Sequence, residues 1–178
     1  MRDKKWVLEH KGGTLKKEQQ KQLIKWAIDC VNHLLPLLGN NINEKIINAI
    51  NTGNNWIIEN AKTGDAIKSA REILKYVRTL DNELEIAITR AAGHAVATAH
   101  MADHSMGTVK YSLDAIKIIG GSIEKELKWQ IKNIPNELEG LVLEGLINKN
   151  IISDIDVFNK IVYAATSHNR TGLFVLRR

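Results

Sequence analysis

Arg90-Ala-Ala-Gly-His94-Ala-Val-Ala-Thr-Ala-His100-Met-Ala-Asp103-His104 decides the fold, because half of the chain's six histidines fall within its last eleven residues. At roughly 100° per residue, Arg90, His94, His100 and His104 share an arc of about 120° on a helix, with Ala97 in its middle. The opposite arc carries Leu84, Ile88, Ala95, Ala99 and Ala102, an ordinary core stripe. Between Ala91 and Ala102 there is no Lys, Glu, Asp or Gln, so no side of this helix is built for bulk water. A helix so small and so poor in long charged side chains is expected at the centre of a bundle, with neighbours on most sides. Its imidazoles then lie in a polar contact layer where each ring nitrogen needs a partner.

Three readings of Arg90, His94, His100, Asp103 and His104 follow. The first is a buried polar seam that hydrogen-bonds facing helices and fixes their register. The second is a metal site, since His100 and His104 stand one helical turn apart. Two ligands do not complete a site, no His-Glu-x-x-His or cysteine pair is present, and His94, Asp103, His33 or His168 could join only through the fold. The third is a ligand pocket using a tuned imidazole. Buried neutral rings at 94, 100 and 104 would make the protein acid-sensitive near pH 5–6. Gly93 and Ala97 lie on the same arc and are expected to permit close helix approach.

The rest of the chain agrees with a helical domain. At 178 residues it is long enough for one well-buried domain and too short to expect two. Its composition, 44% hydrophobic and 25% charged, excludes a largely disordered chain. Strand-type alternation is missing, and only Pro36 and Pro135 interrupt the sequence. Helices are expected from about Leu15 to Leu35, from Asn43 with Gly53-Asn54-Asn55 as a point of bending or division, and from a Thr63 cap onward. Asp81 or Asn82 should start the histidine helix, which is read as reaching roughly Ala102. Further helices carry Val109–Ile119, a Ser122 cap, a start at Pro135, and a last segment from Asp154 to about Ala165. The sum is seven or eight helices in one compact all-α bundle around the Ala/His-rich helix. The domain is read as 15–178, preceded by a basic tail or loosely docked arm over 1–14.

Charge narrows the partners. The net charge is +5, and residues 1–25 hold eight Lys or Arg against three acids, so the remainder is neutral. A basic end attracts anionic surfaces in principle, but no basic–aromatic interleaving and no nucleic-acid-binding spacing supports nucleic acid as a partner. No segment approaches 18 uninterrupted apolar residues, so no membrane span is expected. The single cysteine, Cys30, lies in an apolar run as a small core residue, with a catalytic-thiol role formally open. Phosphate loops, a nucleophile elbow and calcium loops are missing, so no cofactor and no enzymatic activity are expected. A reduced, cytoplasmic protein fits these features, and the sequence leaves self-association open.

Three blocks together carry a resemblance. Trp26-Ala-Ile-Asp29-Cys30 leads to Leu34-Leu35-Pro36. The stretch from Arg90 through Gly93 to His104 leads to Tyr111. Trp129-Gln130 precedes Ile134-Pro135. In that order and spacing the chain resembles the helical immunity proteins of bacterial polymorphic toxin systems, the group similar to immunity family five, over about residues 15–145. The resemblance implies an all-α cytoplasmic protein that binds a cognate toxin domain and blocks it, with no catalysis. The chain departs from that pattern at the second helix, reading Asn43-Glu44-Lys45 where the group has an Asp-Arg-Pro-like start. No counterpart is placed after about Asn148. An inhibitor that mimicked nucleic acid would be acidic, so shape and apolar contact are expected to dominate here.

Overall fold

The computed structural model describes residues 3–40, 42–152 and 159–163. Seven α-helices carry its architecture: α1 (Lys17–Leu34), α2 (Glu44–Ile57), α3 (Thr63–Val77), α4 (Glu83–Ala97), α5 (His104–Ile118), α6 (Ile123–Lys132) and α7 (Glu139–Asn148). Short 3-10 turns at Lys4–Trp6, Glu9–Lys11, Leu35–Leu38 and Asn136–Leu138 join or precede them. The all-α bundle expected from the sequence is what forms. The anticipated segment from Asp154 to Ala165 lies mostly outside the described residues; within it, 159–163 are helical, with Ile161 and Val162 buried. Residues 172–178, which the sequence offers as a short apolar strap, also lie outside them.

α1 divides the core because two of its stripes are apolar. Leu23, Trp26 and Cys30 face one cluster, with Met106, Val109 and Leu113 of α5, Leu127 and Ile131 of α6, and Val142 and Leu146 of α7. Ile24, Ala27, Ile28 and Val31 face a second, built from α2, α3 and α4 through Ile46, Ile50, Ile73, Val77 and Val96. α4 packs against α1, α2, α3 and α5 together, which is why most of its buried positions are small, with five alanines and Gly93 beside Ile88, Thr89 and Val96. Larger side chains there would hold four neighbours apart. Gly93 shows the constraint directly, since a Cβ on it would stand 2.6 Å from Ile73 Cγ2.

Local chemistry sets the helix starts. Asn43, Asn82 and Ser122 occupy N-caps and accept from the backbone N–H of Lys45, Glu85 and Lys125. The Asn43 cap replaces the Asp-Arg-Pro-like start without losing a partner for the first turn. α2 runs continuously from Glu44 through Gly53 to Ile57, so Gly53 does not divide it. Thr63 does not cap α3. Lys62 holds that position, the Asp65 carboxylate accepts from its backbone N–H, and Thr63 Oγ1 instead accepts from the Trp56 indole at 3.1 Å. Pro135 precedes a 3-10 turn rather than opening α7 itself.

The expected N-terminal arm is docked. Trp6 is only 6% exposed, joins the α5–α6–α7 cluster, and lies so close to α7 that a Cβ on Gly145 would approach its ring to 2.6 Å. Leu15 N donates to Val7 O and Glu9 N to Leu15 O, both at 3.0 Å, closing the arm into a loop. Lys5 pairs with Glu144 at 2.7 Å.

Candidate functional site

The histidine stretch does not form one helix. α4 ends at Ala97, residues 98–103 form a turn, and α5 begins at His104. The Thr98 hydroxyl donates to the His94 carbonyl at 3.0 Å. Gln20, buried on α1, donates through Nε2 to Thr98 O at 2.7 Å and to Ala99 O at 3.2 Å. Carbonyls that a continuous helix would have paired internally are thus satisfied from another helix.

The break still gathers the imidazoles. His94 Nδ1 and His104 Nδ1 are 3.2 Å apart, and the His100 and His104 ring centroids are 5.0 Å apart. One of the two Nδ1 atoms must donate and the other accept, so the pair fixes complementary tautomers. His94 also lies 5.2 Å from the Tyr111 ring of α5. Gly107 makes room for this arrangement, because a Cβ there would stand 2.2 Å from His94 Nδ1. Burial first, and then the positive charges of Lys110 and Arg90, hold the His94 pKa below its ordinary value, with Asp103 opposing.

These rings line a cleft of about 300 Å³ between α3, α4 and α5. Ile67, Ala70, Ile73, Gly93 and Ala97 supply its apolar surface; Arg71, Arg90, His94, His100, His104 and Tyr111 supply the polar one. Of the residues expected on one face, Arg90, His94, His100 and His104 come together. Asp103 does not line the cleft and its Oδ2 pairs with Lys149 at 2.9 Å. Arg71 was invisible to the single-helix reading because it comes from α3. Arg90 is exposed, with its Cζ 5.5 Å from the Tyr111 ring centroid, so the two form the wall between this cleft and a neighbouring groove. Among the described residues no group of three or more His, Cys, Asp or Glu is arranged to hold a metal ion, so His100 and His104 gain no third ligand there.

The other motif residues sit in the packing. Trp26 donates from its indole to Gln130 O at 3.0 Å, and Gln130 Nε2 donates to Glu126 Oε1 at 2.7 Å. Glu126, only 5% exposed, faces His33 Nε2 at 3.2 Å, and His33 stacks on Trp129 at 3.8 Å between centroids. The sequence points to Trp26, Trp129 and Gln130 as motif residues and to His33 only as a possible metal ligand; the link that Glu126 and His33 make between α1 and α6 is seen only in the fold. Cys30 is fully buried; burial, and then the Glu126 and Asp29 charges, push its thiol well above the usual range. A protonated, enclosed thiol does not serve as a nucleophile. Asp29 pairs with Lys25, while Pro36 and Pro135 lie at helix junctions.

Among the described residues, no helix is long and apolar enough to cross a membrane. No curated protein and no solved structure matches the chain. One family model does, the one described as "Imm-5 like putative immunity protein", over residues 13–137. That span runs from the end of the docked arm through α6 and includes the cleft, the Gln20 tether and the Trp26–Gln130 linkage. The chain therefore belongs to the Imm-5 like immunity protein family.

Proposed function

We propose that this protein neutralises a cognate bacterial toxin in the cytoplasm by binding it, without catalysis of its own. Family membership across α1 to α6 is the observation that carries this reading. The physical design is compatible with it. An inhibitor needs a scaffold that holds its surface in one shape; here the central helix is enclosed by four neighbours, Gln20 of α1 ties the turn that follows it, and Trp26 ties α1 to α6. Ile118, Ile119 and Ile123 stand 42%, 46% and 41% exposed around the α5–α6 turn, an apolar surface suited to the centre of an interface.

The test is co-expression with the product of the adjacent gene, after that product alone has been found to stop growth. The expected result is rescue of growth together with a stoichiometric complex on gel filtration. Continued killing with both proteins folded and present would overturn the reading. Ile119→Asp should weaken rescue without changing the melting temperature.

A further inference from the structure

We propose that the α3–α4–α5 cleft is a binding site for a small organic anion: a carboxylate or phosphate carried on a compact apolar body. The inference stands apart from toxin binding and would hold whether or not that reading does. Its first support is charge. Among the described residues the lining contains two arginines, three histidines and a tyrosine, and no carboxylate. Among the described residues neither the Arg71 nor the Arg90 guanidinium has a carboxylate within ion-pairing distance, although lysines elsewhere on the surface do. Guanidinium groups from two different helices flanking one opening suit bidentate recognition of an anion.

The second support is shape. Ile67, Ala70, Ile73, Gly93 and Ala97 give the cleft an apolar floor, and its volume of about 300 Å³ lies at the small end for ligand sites. Leu74, 56% exposed, is among its lining residues and would cover part of a bound apolar group. The third support is the histidine pair. With burial holding His94 toward its neutral form, the pair spends one of its two N–H groups between the rings and leaves the two arginines as the cations of the lining. Gly107 keeps the rings there, since any side chain at 107 would displace the His94 ring.

Benzoate and phenyl phosphate are the probes, with benzamide as the uncharged match, in buffer free of other organic anions. Binding is followed through the imidazole Hε1 resonances and by calorimetry. The expected result is saturable binding of at least one anion that moves the His94, His100 and His104 signals and spares those of His10 and His33. Benzamide should bind about tenfold more weakly or worse, and Arg71→Gln and Arg90→Gln should each weaken the anion by a similar factor. Both arginines are exposed, and unchanged melting of the variants confirms that the fold is kept. If benzoate alone binds, the headgroup is a carboxylate; if phenyl phosphate alone binds, it is a phosphate. Equal binding of benzoate and benzamide, equal shifts at His10, indifference to both arginine substitutions, or no binding of any probe would each overturn the assignment.

Discussion

At the scale of single residues, the absence of a side chain at Gly107 decides where an imidazole can lie. Replacing a helical glycine by alanine ordinarily stabilises a helix by about 1 kcal/mol. Here the new Cβ would meet His94 Nδ1 at 2.2 Å and its Cγ at 2.6 Å, so the ring must leave its position. The overpacking cost, about 1–3 kcal/mol, exceeds the propensity gain. Gly107→Ala should therefore lower the urea midpoint and abolish the coupling between the His94 and His104 resonances; a stabilised variant with unchanged signals would contradict it. His94 also makes a pH prediction. Its folded pKa lies below the unfolded value near 6.5, so just below that pH the unfolded chain binds more protons than the folded one. Stability then falls as pH drops from 7 through 6.5 and flattens once the folded ring is also protonated. His94→Asn should remove that part of the slope in urea titrations between pH 7.5 and 5. Identical slopes for both proteins would show that His94 titrates as it does in the unfolded chain.

Elements are joined here by partners far apart in sequence. Gln20 holds the carbonyls of Thr98 and Ala99, 78 and 79 positions away, and so ties α1 to the turn between α4 and α5. Gln20→Leu keeps the bulk and removes the donor, leaving enclosed carbonyls without it. A loss of about 1–3 kcal/mol is expected, with faster amide exchange confined to residues 98–103. Exchange unchanged in that turn would mean that other groups hold it. The same contact explains what the sequence could not reveal. Alanine spacing predicted a crowded central helix because that property is written on the helix itself, and α4 does touch four others. The end of α4 at Ala97 is marked by the Gln20 hydrogen bonds to Thr98 and Ala99, and no glycine or proline follows it before Gly107 to announce it. Gathering of His94, His100 and His104 was legible all the same, since a turn that keeps the chain compact returns them to the same side. Arg71 was not, because it reaches the cleft from α3. Likewise the Trp26, Trp129 and Gln130 blocks were visible as words, while the link that Glu126 and His33 make between them was not, because it joins α1 to α6.

Charge belongs to the whole molecule, and folding redistributes it. The basic residues crowded into positions 1–25 read as a cationic end, yet Lys5 pairs with Glu144, Lys17 and Lys21 with Glu59, and Lys25 with Asp29. Glu59 is held down to about 2 by Lys17 first and Lys21 second, so it stays ionised at any pH where the protein works. Such exposed pairs add little stability, but they place negative charge beside the lysines and blunt the local positive field. Trp6 further pins the arm to the body, so these lysines cannot wrap a polyanion as a free tail would. Two modes of action then differ in their response to salt. A protein that neutralised six to ten phosphates would lose about 10³–10⁵ in affinity between 50 and 200 mM salt. An inhibitor that relies on shape and exposed isoleucines should lose less than about tenfold over the same range, because apolar burial is not screened. Titrating purified toxin domain at both salt concentrations measures the difference directly. A loss near a thousandfold would transfer the binding energy to the lysines of residues 1–25. Growth rescue should in that case fail on substituting Lys4, Lys11 and Lys16, and survive Ile119→Asp.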